Sequence, residues 1–349
     1  MQDFHKLSIS IENLRFPLVF FIIMLHCYTT TNMMVRGHAD YFRMVYPFAL
    51  WLGETGVPAY FFISGILLFY SRKKYGQRLQ SRMKTLLVPY LIFNGFILIG
   101  YIFMMIFGVT VIIQGKNLAD YNIFDYVRAL WDRGTWLNGN GTPLLCPFWY
   151  IRNLMVLVIL SPILYFIIKY TKLLFPIIMG FFWINSFDSA YTFQSLTMFS
   201  LGAYFPICRY NPISVVEKYR YIFLGFFLLL GIADFSHLFM HVPYAFQIHR
   251  LSLIANVFFL IWVGQYLSKY RILYSPFLSK SAFFIFCIHY PLVQCAKVLF
   301  SRLGNSPDTM IFIAYLFCII CVTVITVSVY YLMRKLMPGF LNFITGSRA

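Results

Sequence analysis

The sequence predicts an all-α polytopic membrane protein, a single domain over residues 1–349 built as a bundle of about ten transmembrane helices with both termini cytoplasmic. Three observations predict it. The composition is 60% hydrophobic and only 11% charged, against roughly 25% charged in soluble globular domains. Apolar stretches of about 20 residues, enough to cross a hydrocarbon core of roughly 30 Å, recur along the whole chain. Lys and Arg also divide unevenly between alternating loops, which is the pattern that sets orientation. With the N-terminus inside, 19 of the 28 basic residues adjoin the cytoplasm and 8 the outside, leaving Arg152 within a span. The formal net charge of +17 is therefore mainly a topology signal. No nucleic-acid partner is needed to explain it.

The first five spans fall at 14–31, 48–70, 86–113, 148–168 and 173–187, the last of them short. The other five fall at 194–208, 220–238, 250–268, 280–300 and 309–333. Continuous apolar runs of this length lack the alternation of outer-membrane strands, so helices follow rather than a barrel. The first span has no small-residue cleavage site after it and reads as retained. The loop 71–84 carries six basic residues and no acid, making it the strongest cytoplasmic marker. An even span count returns Arg334, Lys335 and Arg348 to the same side. The one long connection, 114–147, is external and reads as a lid or acceptor-binding element, because long loops of this kind are uncommon without a role. Its Trp131 and Trp136, with Trp149 just beyond, read first as an interfacial aromatic belt and second as platforms for sugar rings.

Ionisable residues inside spans are functional candidates by default. Arg15 and His26 are the leading pair. Eleven residues bring a helix about 20° past three full turns, so both project from one face while lying about 16 Å apart along the axis. Glu54, near the outer end of the second span, is close in depth to His26; a carboxylate there would orient the imidazole and raise its basicity. The competing reading is a water-exposed carboxylate at the interface. His289 sits beside the helix-kinking Pro291, as a buried link between helices or as part of a site. Arg152 and Asp234 are either snorkelling or paired with each other. Ser64 and Gly65 read as small residues at a close helix crossing. The Cys318-Ile319-Ile320-Cys321 pattern lies in the apolar middle of the last span and reads as packing. His237 and His241 have the spacing of a metal pair but no further ligand type beside them, so no metal site is assigned.

Several motifs then occur in order. Arg15 is followed after ten residues by His26. Val57-Pro58-Ala59-Tyr60-Phe61-Phe62-Ile63-Ser64-Gly65 comes next, then Arg82-Met83-Lys84-Thr85-Leu86-Leu87-Val88-Pro89-Tyr90. Trp149-Tyr150-Ile151-Arg152-Asn153-Leu154 with Pro162, Ser200-Leu201-Gly202-Ala203-Tyr204 and Phe284-Ile285-Phe286-Cys287-Ile288-His289 complete the set. In this order and spacing the whole chain resembles the membrane acyltransferase-3 family.

The resemblance implies an integral enzyme of the inner (cytoplasmic) membrane that takes an acyl group, commonly acetyl, from acyl-CoA in the cytoplasm. It places that group on a hydroxyl of an extracytoplasmic or lipid-linked polysaccharide. His26 is implied as the catalytic histidine with Arg15 as its partner; Glu54 joins them on the reading of its depth alone. Arg82, Arg78 and Lys84 would receive coenzyme A; Thr85 stands where a second basic residue is frequent in the family, with Lys84 adjacent. Arg152, Trp149 and His289 fall to the carbohydrate acceptor. Acyl-CoA is a co-substrate, so no permanently bound cofactor is expected, and homo-oligomerisation is left open. The chemistry of the residues agrees: acyl transfer needs a base for the hydroxyl proton and donors for the developing oxyanion, and polyanionic coenzyme A needs cations on the cytoplasmic side. The alternative is a non-enzymatic transporter or flippase of lipid-linked sugars, whose usual sign is inverted repeats with paired broken helices.

Overall fold

A computed structural model describes residues 2–34, 39–71, 73–113, 116–132, 141–186, 190–270, 275–296, 300, 303 and 306–347. Arg72, Gly134, Trp136, Gly139 and Arg348 lie outside them. The described chain is nearly all helix. In order it runs α1 (Gln2–Met34), α2 (Ala39–Tyr46), a π-helical turn (Pro47–Leu52), a 3-10 turn (Gly53–Thr55) and α3 (Gly56–Tyr70). Next come α4 (Tyr75–Arg82), a second π-helical turn (Met83–Leu87), α5 (Val88–Ile106), the two-residue strands β1 (Ile112–Ile113) and β2 (Lys116–Asn117), and α6 (Ile123–Trp131). Then follow α7 (Trp149–Ile159), α8 (Ser161–Thr171), α9 (Leu174–Asn185), α10 (Ala190–Ile207), α11 (Pro212–Lys218) and α12 (Arg220–Ser236). The chain ends with α13 (Ala245–Lys269), α14 (Pro276–Cys295), α15 (Asp308–Leu336) and α16 (Pro338–Ile344).

Six helical segments are long and apolar enough to cross a membrane: Leu7–Tyr28, Ala39–Tyr70, Tyr75–Ile106, Ala245–Lys269, Pro276–Cys295 and Asp308–Leu336. They make this a multi-pass membrane protein, and they match six of the ten expected spans. The other four take different forms. The expected span 148–168 is broken into Cys146–Ile159 and Ser161–Thr171, bent by 72°; Pro162, which has no N–H to donate, sits in the first turn of the second piece. The expected span 173–187 is the 12-residue α9, only about 18 Å long at 1.5 Å per residue. The last two are α10, with 18 residues and a polar run through Thr192, Gln194, Ser195, Thr197 and Ser200, and α12, with 17 residues.

Helix α1 is the axis of the molecule. Leu7, Ile11, Leu14, Leu18 and Ile22 form a buried stripe at helical spacing, and the helix packs against α13, α14, α15 and the turns before α3. Helices α3 and α10 cross in close contact. A Cβ added to Gly65 would strike the Phe199 carbonyl, and one added to Gly202 would strike the Phe62 carbonyl. Each glycine is thus the hole for the other backbone. The small-residue reading of this stretch is the one the fold uses. Cys318 packs its sulfur 3.6 Å from that of Cys27, which accounts for the first cysteine of the CxxC pair.

The long connection is folded rather than structureless where it is described. Strands β1 and β2 pair antiparallel. A capping box between Asn122 and Asp125 starts α6, and Lys116 meets Asp125 at 2.6 Å. Val111, Ile113, Leu118, Ala129 and Leu144 form a separate small core packed on α5. Two polar ties hold it down: the Tyr90 hydroxyl donates to the Leu130 carbonyl at 2.6 Å, and the Leu145 N–H donates to the Asn94 side chain at 2.9 Å.

Candidate functional site

Three cations from three separate helices converge on one cavity of about 270 Å³. Arg15 comes from α1, Arg82 from the last position of α4, and Lys280 from the first turns of α14; Ser64, Tyr60 and Tyr150 add hydroxyls. The walls are apolar, with Ile11, Leu67, Leu86 and Phe286 among them. Arg82 reaches the cavity because α4 passes directly into the π-helical turn Met83–Leu87, where the chain enters the bundle. The Tyr60 hydroxyl donates to the Arg15 carbonyl at 2.6 Å, and the hydroxyls of Ser64 and Tyr150 lie 3.2 Å apart. Among the described residues no carboxylate lines this cavity and Arg15, Arg82 and Lys280 form no ion pair. Clustered cations with no internal counter-charge in a largely apolar setting favour an anionic ligand.

The cavity ends against the histidines. Phe286, one of its walls, has its ring 5.9 Å from that of His289, and the His289 ring is 5.3 Å from that of His26. Helices α1 and α14 pack side by side, with Arg15 and His26 about three turns apart on one and Lys280 and His289 about two and a half turns apart on the other. His289 is fully buried. Its Nδ1 faces the carbonyls of Phe286, at 2.8 Å, and Ile285, at 3.2 Å; carbonyls only accept, so Nδ1 carries the hydrogen and Nε2 is left as an acceptor. Among the described residues Nε2 has no partner. A buried acceptor without a partner is costly unless something arrives to fill it. His26 also contacts Tyr290 edge-on, with ring centroids 5.2 Å apart.

Other expected site residues lie elsewhere. The Glu54 carboxylate does not serve His26: its Oε2 is 3.0 Å from Nε2 of His249. The 3-10 turn that carries Glu54 packs through Gly53 on α1 at Phe21 and Leu25, residues about 140° and about 100° round the helix from His26. His249 in turn places Nδ1 2.9 Å from Asp234. That pairing also overturns the Arg152–Asp234 alternative, because Arg152 bonds the Trp131 carbonyl and the Asn153 side chain. Arg152 also stacks on the Trp131 ring, and Trp149 is buried, stacked on Tyr191 with centroids 4.1 Å apart. Arg78 is spent on the carbonyls of Lys73 and Leu68. Lys84 is exposed. Neither lines the cavity.

Lys280 and His249 carry no motif that singles them out, and Tyr150 stands inside the Trp149–Leu154 motif without being marked there for this cavity. Lys280 reads as one more topology charge, and His249 sits at a span end beside Arg250; only their long-range neighbours mark them.

Comparison with known proteins gives a consistent picture. The chain is 26% identical over 332 residues to the succinoglycan biosynthesis protein ExoH of Rhizobium meliloti (strain 1021), covering 89% of this chain and 84% of that protein. No solved structure matches it. A family model described as an acyltransferase domain matches residues 8–331, a stretch that holds the cationic cavity and both histidines, and the chain therefore belongs to the membrane acyltransferase-3 family.

Proposed function

We propose that the protein moves an acyl group, acetyl in the first instance, from acyl-CoA on the cytoplasmic side to a hydroxyl of a surface or lipid-linked polysaccharide. The observation that carries this reading is the three-cation cavity, one wall of which, Phe286, lies beside the histidine pair. Phosphates held by Arg15, Arg82 and Lys280 leave the acyl end of an extended pantetheine arm to run outward along α1, toward His26. Arg fits a phosphate with a bidentate fork and Lys as a point charge. The relative's part in succinoglycan biosynthesis supports a polysaccharide acceptor.

In this scheme His26 is the general base. It takes the proton of the acceptor hydroxyl as that oxygen attacks the thioester carbonyl; the C–O bond forms, the C–S bond breaks, and the thiolate of coenzyme A recovers the proton from His26. Nε2 of His289 stands beside it as a second acceptor position, and Arg152 and Trp149 form part of the acceptor end. The bent pair α7–α8, with α9, α10 and α12, supplies the four further crossings that make ten, an even number that puts both termini in the cytoplasm, and the membrane is the inner one.

The test is label transfer from radiolabelled acetyl-CoA to the glycan fraction of membranes carrying the protein. Transfer by the parent and its loss in His26→Ala, at equal accumulation, is the expected result. Parent-level transfer in His26→Ala would remove His26 as the base in favour of His289, and no transfer by the parent would remove the donor.

A further inference from the structure

A second polar centre lies at the end of the bundle opposite the cationic cavity. Asp234, near the last turn of α12, is completely buried. It accepts from the Tyr46 hydroxyl at 2.9 Å and from the Ser252 hydroxyl at 3.2 Å, and it faces Nδ1 of His249 at 2.9 Å. Nε2 of the same ring faces Glu54 at 3.0 Å. Four elements meet here, α2, the 3-10 turn before α3, α12 and α13, each contributing one end. Every polar atom of Asp234 and His249 is thus used inward, and the chain of contacts ends on a carboxylate that is not.

Glu54 is 36% exposed. One oxygen is fixed by His249; among the described residues no partner holds the other, Oε1. Tyr28, Tyr191 and Arg250 lie close enough to feel its charge, so its surroundings are aromatic, cationic and hydroxylic rather than hydrocarbon. A buried Asp–His pair spent on orienting a single half-exposed carboxylate is an expensive arrangement for a simple helix tie, because Asp234 must be fully desolvated. It does suit a receptor for hydroxyl groups: an ionised carboxylate accepts from hydroxyls in short, charge-assisted bonds, and aromatic rings beside it suit the apolar faces of sugars.

We propose that Asp234, His249 and Glu54 form a carbohydrate-hydroxyl subsite that positions the acceptor one face of α1 away from His26. Glu54 receives the hydroxyls, while His249 and Asp234 act through it as positioning residues. This rests on the acyltransferase reading above. Donor capture, at the far end of α1, does not depend on the subsite.

The two failures are separable in one experiment. Membrane vesicles holding the parent or a variant, together with their own glycan, are supplied with radiolabelled acetyl-CoA, and coenzyme A affinity is measured on the purified proteins. Glu54→Gln keeps the shape and the contact to His249 but removes the charge. It should lower glycan labelling by about tenfold or more, the loss expected for a charge-assisted hydrogen bond, with coenzyme A affinity within about twofold of the parent's. His249→Gln should lower it similarly, and Glu54→Asp should restore part of the labelling. Labelling within twofold of the parent in Glu54→Gln would overturn the subsite. So would a parallel fall in coenzyme A affinity, or failure of Glu54→Gln to accumulate, either of which makes the cluster a structural tie. No labelling by the parent would overturn the acyltransferase reading and this subsite with it.

Discussion

The two ends of α1 treat buried charge in opposite ways. Around Arg15, three cations face a void and no acid is present in its wall. Around Glu54, two acids share one imidazole, and every partner but one carboxylate oxygen is supplied by the protein. Taking an ion out of water costs several kcal/mol unless it is paired (~several per ion), and the two ends meet that cost differently. The Glu54 cluster pairs its charges internally and leaves one carboxylate oxygen open. The cationic cavity has no internal counter-charge among its described lining residues, which favours an anionic ligand. Between them, the Nε2 of His289 is unfilled in the same sense, and the proposed scheme puts the reacting centre there.

Substitutions can break or sharpen that contrast. The largest effect is expected between the two ends: His26→Ala should cut acyl transfer by about 10²-fold or more, the usual contribution of a general base, with coenzyme A affinity unchanged in calorimetry of the purified protein. A matching loss of affinity would mean that the donor cavity and the histidine pair are not separate functions.

The next effect is on the frame that holds both ends. Gly202→Leu drives a side chain into the Phe62 backbone and should lower the thermal midpoint of detergent-solubilised protein by several degrees, at a cost of about 1–3 kcal/mol for overpacking. An unchanged midpoint would mean that α3 and α10 separate without penalty.

At the inner end, Arg82→Ala should weaken coenzyme A binding about tenfold, and Arg82→Lys less, since lysine keeps the charge and loses the fork. Raising salt should weaken the parent more than Arg82→Ala, because one screened contact has already gone. Equal affinity in parent and Arg82→Ala would reduce the loop to a topology determinant.

The smallest effect discriminates cavity charge from loop charge. Lys280→Ala should cost a few-fold in coenzyme A affinity, as loss of one point charge at the mouth, whereas exposed Lys84→Ala should stay within about twofold. Equal losses from both would replace a defined pocket by diffuse attraction.

Much of this was legible in the chain. The helical class, the basic inner loop, the Arg15–His26 face and the Gly65 crossing all follow from spacing along one segment, because a helix has a fixed period and a membrane a fixed thickness. The small core of the long connection was not legible for the same reason: 114–147 lacks a span-length apolar run, and that core is built from short pieces against α5.

What the sequence by itself determined is therefore the helical class, six of the expected spans and which residues share a face, all local consequences of period and hydropathy. The tertiary structure alone decided who meets whom across helices. Glu54 and His249 are 195 residues apart in the chain, and so nothing in the neighbourhood of either announces the other; the same holds for Lys280 with Arg15 and for His289 with His26. A side chain's partner is set by how helices cross and rotate against one another. That arrangement is a property of the packed bundle, in which each glycine hole and each buried stripe constrains the rest.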